Sequence, residues 1–343
     1  MTIYILNLLI ILFWYFIFSY KKNDTKINLF FIIVGIQLIL LGGLRGVSVG
    51  TDTITYSMEY DFFRAYRIVQ YSRLEYGYIA LMSVLSYLNA DFMWLLLATS
   101  AIIIFFVFIG IKNISPNAFL SVYLFVSMYL YYYSFNVIRQ CMAVAISFFA
   151  YKYILNRNII KYILCILLAV QFHTTALIML PIYFIFVLTK KNIMFIFLII
   201  CYFLFIFINP FIDFVLTLIP KYISYFDGEM METFVGMRYI LVYGLIVLFG
   251  AFIIRRYDVD KKFILEFMFI CIAFILNTLT LFGFSMFTRL AWYFTIYSIV
   301  FIPNCLSRID NKYIKKLVLI LIILITFMYH YYFLSVNYHR III

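Results

Sequence analysis

Long apolar segments, separated by short polar linkers, repeat along the whole chain. A helix of about 20 apolar residues is long enough to cross a bilayer, and the backbone groups of such a segment must find their hydrogen bonds within it. The pattern therefore predicts an all-α polytopic membrane protein with about twelve transmembrane helices. The predicted spans cover residues 3–20, 27–44, 92–111, 118–135, 137–155, 159–172, 174–189, 192–208, 237–254, 263–282, 287–306 and 317–335.

Two segments allow a second interpretation. Ile159–Thr189 is predicted to form a short hairpin that turns near His173, although its length also fits one long tilted helix. Tyr76–Leu88 has an apolar face but is short for a span, so we expect an interfacial or partly inserted helix. If Tyr76–Leu88 did span, and Ile159–Thr189 were one helix, Arg139 would move to the cytoplasmic side.

The composition agrees with a membrane protein. Hydrophobic residues make up 67% of the 343 residues and charged residues 12%, whereas soluble domains carry roughly 25% charged residues. The five cysteines lie in or beside apolar runs without metal-ligand spacing. We therefore expect packing cysteines and no metal site.

The basic residues collect in alternate linkers, so the net charge of +12 is a topology signal and does not indicate nucleic acid. Lys and Arg accumulate in cytoplasmic loops, which predicts that both termini face outward. The predicted cytoplasmic set holds 17 of the 26 basic residues: Lys21, Lys22, Lys26, Lys112, Lys152, Arg157, Lys161, Lys190, Lys191, Arg255, Arg256, Lys261, Lys262, Arg308, Lys312, Lys315 and Lys316.

The same assignment predicts one integral membrane domain over residues 1–343. Its two longest linkers, 45–91 and 209–236, both lie on the outer face. We expect substrate handling outside the membrane to involve these two segments.

The segment Leu44–Tyr56 is a polar cluster at the end of an apolar run and a candidate for chemistry or recognition. It follows the second predicted span and carries Arg45, Asp52 and Tyr56 among glycines and threonines. Glycine permits backbone conformations that other residues resist. A turn of this kind can hold an arginine and a carboxylate close together at the mouth of a helix bundle.

Further ionisable residues lie at the predicted outer ends of other spans, where they are candidates for function. Several arginines at one outer face favour an anionic ligand, because guanidinium binds phosphate in a bidentate manner. The alternative is that each arginine reaches lipid headgroups or pairs with a loop carboxylate. The candidates are Glu75, Arg139, Gln140, His173, Arg238 and Arg289.

Asp52 and Glu75 are candidates for a general base, and His173 is a functional candidate at the predicted turn. Asp52 alternatively caps a turn between threonines, His173 alternatively packs in the bundle, and Glu75 alternatively begins a helix. The sequence contains no Walker-type loop and no Gly-x-Ser-x-Gly. We therefore expect neither ATP use nor a cofactor.

Four motifs in this order resemble the EpsG-like branch of the Wzy polysaccharide polymerases, across roughly residues 30–305. The motifs are Leu-Arg-Gly…Gly-Thr-Asp…Tyr within 44–56, Arg-Gln-x-x-Ala-x-Ala-Ile from Arg139, Ala-Val-Gln-Phe-His-Thr-Thr-Ala from Ala169, and Arg-Leu-Ala-Trp-Tyr-Phe from Arg289.

The resemblance implies an inverting, membrane-embedded glycosyltransferase of GT-C-like architecture. Such an enzyme joins oligosaccharide repeat units carried on undecaprenyl pyrophosphate, at the outer face of the bacterial inner membrane. It would be expected to work with a flippase and a chain-length regulator. By the same resemblance, Arg45, Arg139 and Arg289 would hold the pyrophosphate. Asp52 or His173 would orient or deprotonate the acceptor hydroxyl, and Gln140 and Tyr56 would bind sugar.

The main alternative is a transporter or flippase of lipid-linked oligosaccharide, which also needs basic residues near lipid phosphates. A flippase favours charges in a central cavity and two related halves, and neither is visible in the sequence. An O-antigen ligase would favour an outer loop longer than 209–236. An O-acetyltransferase would favour a histidine deeper among the helices.

Overall fold

The computed structural model describes residues 1–19, 23–69, 74–188, 233–280 and 286–342. Most of these residues are helical, and strands are absent from the described ranges. The α-helices in chain order are α1 (Thr2–Ser19), α2 (Asp24–Gly43), α3 (Thr53–Tyr66), α4 (Tyr76–Tyr87), α5 (Phe92–Ile114), α6 (Ala118–Ser127), α7 (Ile138–Leu155), α8 (Ile159–Val170), α9 (Ile182–Leu188), α10 (Thr233–Arg256), α11 (Lys261–Leu279), α12 (Met286–Thr295), α13 (Ser298–Ser307) and α14 (Lys312–Ile342).

Within the described residues, seven helices are long and apolar enough to cross a bilayer, which confirms a polytopic membrane protein. The bent pair Phe287–Thr295 and Ser298–Ser307, with a 40° bend, would make an eighth span. The predicted span 192–208 lies outside the described residues. The seven are Thr2–Ser19, Asp24–Gly43, Phe92–Ile114, Ile138–Leu155, Tyr239–Arg256, Lys261–Leu279 and Lys312–Ser335.

The chain forms two compact units. The first contains Met1–Leu180 and Ile309–Ile343, and the second contains Pro181–Arg308. That the chain acts as one integral membrane domain, with outer segments 45–91 and 209–236, stays a prediction. Most of the second outer segment lies outside the described residues.

In the first unit, α5 packs against both α2 and α7, and α7 packs against α8. Buried polar side chains fasten α1 to this group. Asn7 Nδ2 donates to the Tyr132 hydroxyl at 3.0 Å, and Gln37 Nε2 donates to Asn7 Oδ1 at 2.7 Å. Hydrogen bonds between helices are favoured in lipid, where an unpaired polar group has no water to bind. They fix α1 and α2 in register.

The predicted span 118–135 is not one continuous helix, and this part of the prediction is wrong. Helix α6 ends at Ser127, Tyr129 adopts φ 70°, and a 3₁₀ helix follows over Tyr132–Phe135. The Tyr131 hydroxyl donates to the Leu38 carbonyl at 2.6 Å. Aromatic packing and this bond hold the segment in a compact turn before α7.

The predicted hairpin within 159–189 is confirmed. Helix α8 ends at Val170, and a 3₁₀ helix covers Thr174–Met179. The Tyr162 hydroxyl, in the first turn of α8, donates to the Met179 carbonyl. The chain must therefore reverse between these residues, which excludes one continuous helix.

In the segment 45–91, Thr53–Tyr66 forms helix α3, which was not predicted. Its Tyr60 and Phe63 are buried, and the Tyr60 hydroxyl donates to the Ala90 carbonyl at 2.9 Å. The helix predicted near Tyr76–Leu88 is confirmed as α4, which packs against α3. Its interfacial position in the membrane stays a prediction.

In the second unit, α11 packs against α10, α12 and α13. Its Glu266 is fully buried and accepts a hydrogen bond from Asn304 Nδ2 at 2.8 Å. Lys262 Nζ lies 3.8 Å from the other carboxylate oxygen. A buried carboxylate needs such partners to remain inside a helix bundle, so this cluster joins α11 to α13.

Candidate active site

The loop between α2 and α3 is fixed against the residues that precede α7. Gly50 has a φ angle of +100°, which residues with a side chain rarely adopt. The Phe135 carbonyl oxygen also lies too close to Gly50 to leave room for a Cβ. The backbone N–H of Thr51 donates to Asn136 Oδ1 at 2.8 Å, and Thr53 Oγ1 donates to the Phe135 carbonyl at 2.9 Å. The loop therefore lies beside the start of α7.

Arg45 lies at the end of α2 with its guanidinium turned toward the protein. One nitrogen donates to the Gly42 carbonyl and another to the Phe135 carbonyl at 3.5 Å, and the group lies 4.7 Å from the centre of the Phe135 ring. Burial lowers the pKa of Arg45 to about 10, so the side chain remains charged at neutral pH. A cation here also compensates the last carbonyls of α2.

Arg139, in the first turn of α7, is the centre of the site. It forms an ion pair with Glu75, a hydrogen bond with the Tyr56 side chain, and lies 5.9 Å from the centre of the Tyr78 ring. The Arg139 side chain retains 22% exposure and the Glu75 side chain 11%. The arginine is thus held by three partners and remains accessible from one side.

Glu75 connects Arg139 to the turn of the hairpin. Its Oε1 accepts from the backbone N–H of Thr174 at 3.3 Å, while Oε2 accepts from Arg139. Two residues later, Gly77 N–H donates to the Gln171 carbonyl at 2.8 Å, and a Cβ on Gly77 would lie 2.7 Å from that oxygen. Only glycine allows this close approach without a shift, so the start of α4 is closely packed against the turn.

His173 lies in that turn and is half-buried. Its Nδ1 accepts from Thr175 N–H at 3.3 Å and lies 2.6 Å from Thr175 Oγ1. A neutral imidazole that accepts at Nδ1 carries its proton on Nε2. His173 is therefore set up to donate a hydrogen bond from Nε2 rather than to take a proton at Nδ1.

Asp52 and Tyr56 lie on one face of α3. Asp52 stands at the N-cap position, but its side chain makes no capping hydrogen bond. Thr51 Oγ1 lies 3.2 Å from Asp52 Oδ1. Burial raises the pKa of Tyr56, Arg139 opposes the rise, and the Asp52 carboxylate adds to it. Asp52 thus acts as a nearby negative charge rather than as a helix cap.

The other predicted residues are less informative. Gln140 is 2% exposed and packs inside the bundle beside Arg139. Arg289 is an exposed residue of α12, in the second unit. Arg238 lies in α10 of that unit, and its side chain lies outside the described residues. The predicted residues that the first unit brings to one end are therefore Arg45, Asp52, Tyr56, Glu75, Arg139 and His173.

Two residues of this cluster, Glu59 and Tyr78, were not predicted. The Tyr78 hydroxyl interacts electrostatically with Tyr56, Arg139, Glu59 and Arg45. Glu59 follows Tyr56 by three residues and Tyr78 follows Glu75 by three, which places each pair on one helix face. That spacing was the available signal, but it has meaning only if α3 and α4 are recognised as helices.

The fold and the site define a polytopic membrane protein with an arginine, its carboxylate partner and several hydroxyl groups at one end of a helix bundle. A protein-family comparison matches residues 28–342, nearly the whole chain, to the EpsG family. The chain therefore belongs to the EpsG family, which confirms the resemblance and indicates a role in polysaccharide biosynthesis. Comparisons with curated proteins and with solved structures find no match.

Proposed function

We propose that the chain polymerises undecaprenyl-pyrophosphate-linked oligosaccharide repeat units at the outer face of the bacterial inner membrane. The enzyme would be an inverting glycosyltransferase of GT-C-like architecture with about twelve spans. The observation that carries the proposal is Arg139, held by Glu75 and Tyr56 yet accessible from one side. It supports an anion-binding site at the end of a membrane bundle.

In the proposed reaction the growing chain is transferred from its lipid carrier to a hydroxyl of the next lipid-linked unit. The acceptor oxygen attacks the anomeric carbon, and the bond from that carbon to the pyrophosphate oxygen breaks. The electron pair leaves with the pyrophosphate. Arg139 and Arg45 would stabilise this departing charge, and the same role for Arg289 stays a prediction from the sequence resemblance. Preorganised donors of this kind contribute roughly 10²–10³ each in rate.

Glu75 has a positioning role in this proposal. Its two oxygens connect Arg139 to the turn at Thr174, so the guanidinium is already oriented before an anion arrives. Such preorganisation avoids rearrangement during the reaction. In this proposal Asp52 or His173 would orient or deprotonate the acceptor hydroxyl, and Tyr56 and Gln140 would bind sugar.

The experiment uses a deletion strain that supplies lipid-linked repeat units. The strain is complemented with the wild-type chain, Arg139→Ala or Arg289→Ala, and its surface glycan is separated on a gel. We expect a ladder with wild type and a single repeat with either variant, at matched amounts of membrane protein. Loss of even the single repeat in the deletion strain would indicate a flippase or ligase. Full ladders from both variants would contradict the role of the arginines.

A further inference from the structure

Two buried polar atoms beside Arg139 have no hydrogen-bond partner among the described residues. They are Oε1 of Glu59 and the hydroxyl of Tyr78. Glu59 is 5% exposed and Tyr78 is 0% exposed. An unpaired buried polar atom is unfavourable, because it has lost its hydrogen bonds to water without gaining a partner. Glu59 and Tyr78 interact electrostatically with each other. Their unpaired atoms together indicate a binding site in which a ligand would supply the missing hydrogen bonds.

The two side chains come from facing helices. Glu59 lies on the face of α3 that carries Tyr56, and Tyr78 lies one turn after Glu75 in α4. The rings of Tyr56 and Tyr78 pack edge to face with centroids 6.1 Å apart. The positive charge of Arg139 acts on Glu59 and on Tyr78. Both unpaired atoms therefore belong to the Arg139 cluster.

The chemistry of the pair selects a neutral hydroxyl as its ligand. A carboxylate only accepts hydrogen bonds, whereas a phenol both donates and accepts. An anion would be repelled by Glu59, and a cation would be repelled by Arg139 and Arg45. A sugar hydroxyl can donate to the carboxylate and accept from the phenol at the same time.

On the basis of the polymerase function above, we propose that Glu59 and Tyr78 bind the acceptor sugar hydroxyl and that Glu59 is the general base. As the acceptor oxygen bonds to the anomeric carbon, its proton moves to Oε1 of Glu59. The bond to the pyrophosphate oxygen breaks, and its electron pair stays on the pyrophosphate beside Arg139. Tyr78 donates to the acceptor oxygen and orients it. Asp52 and His173 then remain as orienting groups.

The pH dependence follows from the same cluster. Burial raises the pKa of Glu59, and the positive charge of Arg139 opposes the rise. The Tyr78 hydroxyl also interacts electrostatically with Glu59. Glu59 must be ionised to take a proton, so activity is present above its pKa and falls as the pH drops through it. The fall should therefore begin at a higher pH than for an ordinary carboxyl group.

The test uses the complemented deletion strain, with the rate of ladder growth measured in membranes across the acidic to neutral range. The variants are Glu59→Gln and Tyr78→Phe, and the matched control is Asp61→Asn. Asp61 is an exposed residue of the same helix, and its carboxylate lies 3.5 Å from Ser57 Oγ. We expect Glu59→Gln to lose roughly 10²–10⁴ in rate and to lose the acidic limb, while Asp61→Asn keeps both.

A Glu59→Gln enzyme that retains the wild-type rate would overturn the general-base role, because an amide oxygen still accepts a hydrogen bond but not a proton. Tyr78→Phe only removes a buried hydroxyl without a described partner, so it should fold at least as well as wild type. If Glu59→Gln fails to accumulate, the rate of Tyr78→Phe tests the proposal. A wild-type rate of Tyr78→Phe would refute the hydroxyl-binding site, and a lower rate would support it. If wild type makes no ladder, the polymerase function itself fails.

Discussion

Among the described residues, the carboxylates of Glu75 and Glu266 each hold a polar partner from another part of the chain, but they differ in that partner and in their accessibility. In the first unit, Glu75 pairs with Arg139, and both side chains keep some exposure at a bundle end where three segments meet. In the second unit, Glu266 is fully buried within α11 and pairs with Asn304 of α13. An ionisable group in a membrane bundle can therefore simply fasten helices together, whereas a site also needs access.

Among changes at these two clusters, removal of the Arg139 guanidinium should have the largest effect. Arg139→Ala should lower the polymerisation rate by roughly 10²–10³, because in the proposed reaction the departing pyrophosphate loses its fixed positive partner. The rate is measured from ladder growth in membranes with matched protein content. Arg64→Ala, an exposed arginine of α3, serves as the control and should retain the wild-type rate. An equal loss in both variants would indicate a general charge effect.

The cluster in the second unit should respond in stability rather than in rate. Glu266→Ala leaves the buried Asn304 amide without its acceptor, so it should lower the free energy of unfolding by about 1–3 kcal/mol. Glu266→Gln keeps an acceptor oxygen and should lower it by less. Thermal unfolding of the detergent-purified variants measures both losses of stability, and Glu266→Ala should show the larger one. If Glu266→Gln abolished polymerisation at normal stability, Glu266 would have a functional role, and the two clusters would not differ in the way described.

Neutralising Glu75 should have an intermediate effect on the rate. Glu75→Gln keeps an acceptor near Arg139 but removes the charge that orients the guanidinium. We expect a fall of roughly tenfold, equal to about 1.4 kcal/mol in the activation free energy. Ladder growth measured at several levels of lipid-linked substrate separates weaker binding from slower transfer. A rate as low as that of Arg139→Ala would instead indicate that Glu75 acts on the substrate directly.

The smallest effect is expected where α3 packs against the segment before α5. Tyr60→Phe removes the hydrogen bond to the Ala90 carbonyl, so the free energy of unfolding should fall by about 0.5–1.5 kcal/mol. Because the Tyr60 hydroxyl is used in this bond, the polymerisation rate should not change. A clear loss of rate at normal stability would extend the site to Tyr60.

The sequence was sufficient to predict the helical membrane fold, the hairpin near His173 and the placement of Arg45, Arg139 and His173 at one end of the first unit. These features follow from long apolar runs and from charges at their ends. Helix α3 was missed because its polar residues resemble those of a linker, and its apolar face is defined only by α4 and α5. The break after Ser127 was missed because aromatic packing ends α6, while the apolar pattern continues.

Glu59 and Tyr78 could not be predicted for a related reason. Each is an ordinary residue in its own helix, and its significance depends on contact between α3, α4 and the start of α7. Such contacts come from tertiary packing rather than from local pattern. Gly77 could not be recognised from the sequence either. The Gln171 backbone lies too close to leave room for a Cβ at this position, and that contact is visible only in the folded structure.

Polymerisation by the purified protein in liposomes is the most direct test of the proposed function. The lipid-linked repeat unit of the host is the only sugar substrate, and both product length and free undecaprenyl pyrophosphate are measured. The proposed function predicts a ladder of lengthened lipid-linked products, with one undecaprenyl pyrophosphate released for each linkage formed, and almost none with Arg139→Ala. Movement of unchanged lipid-linked units between the two leaflets, without longer products, would contradict it.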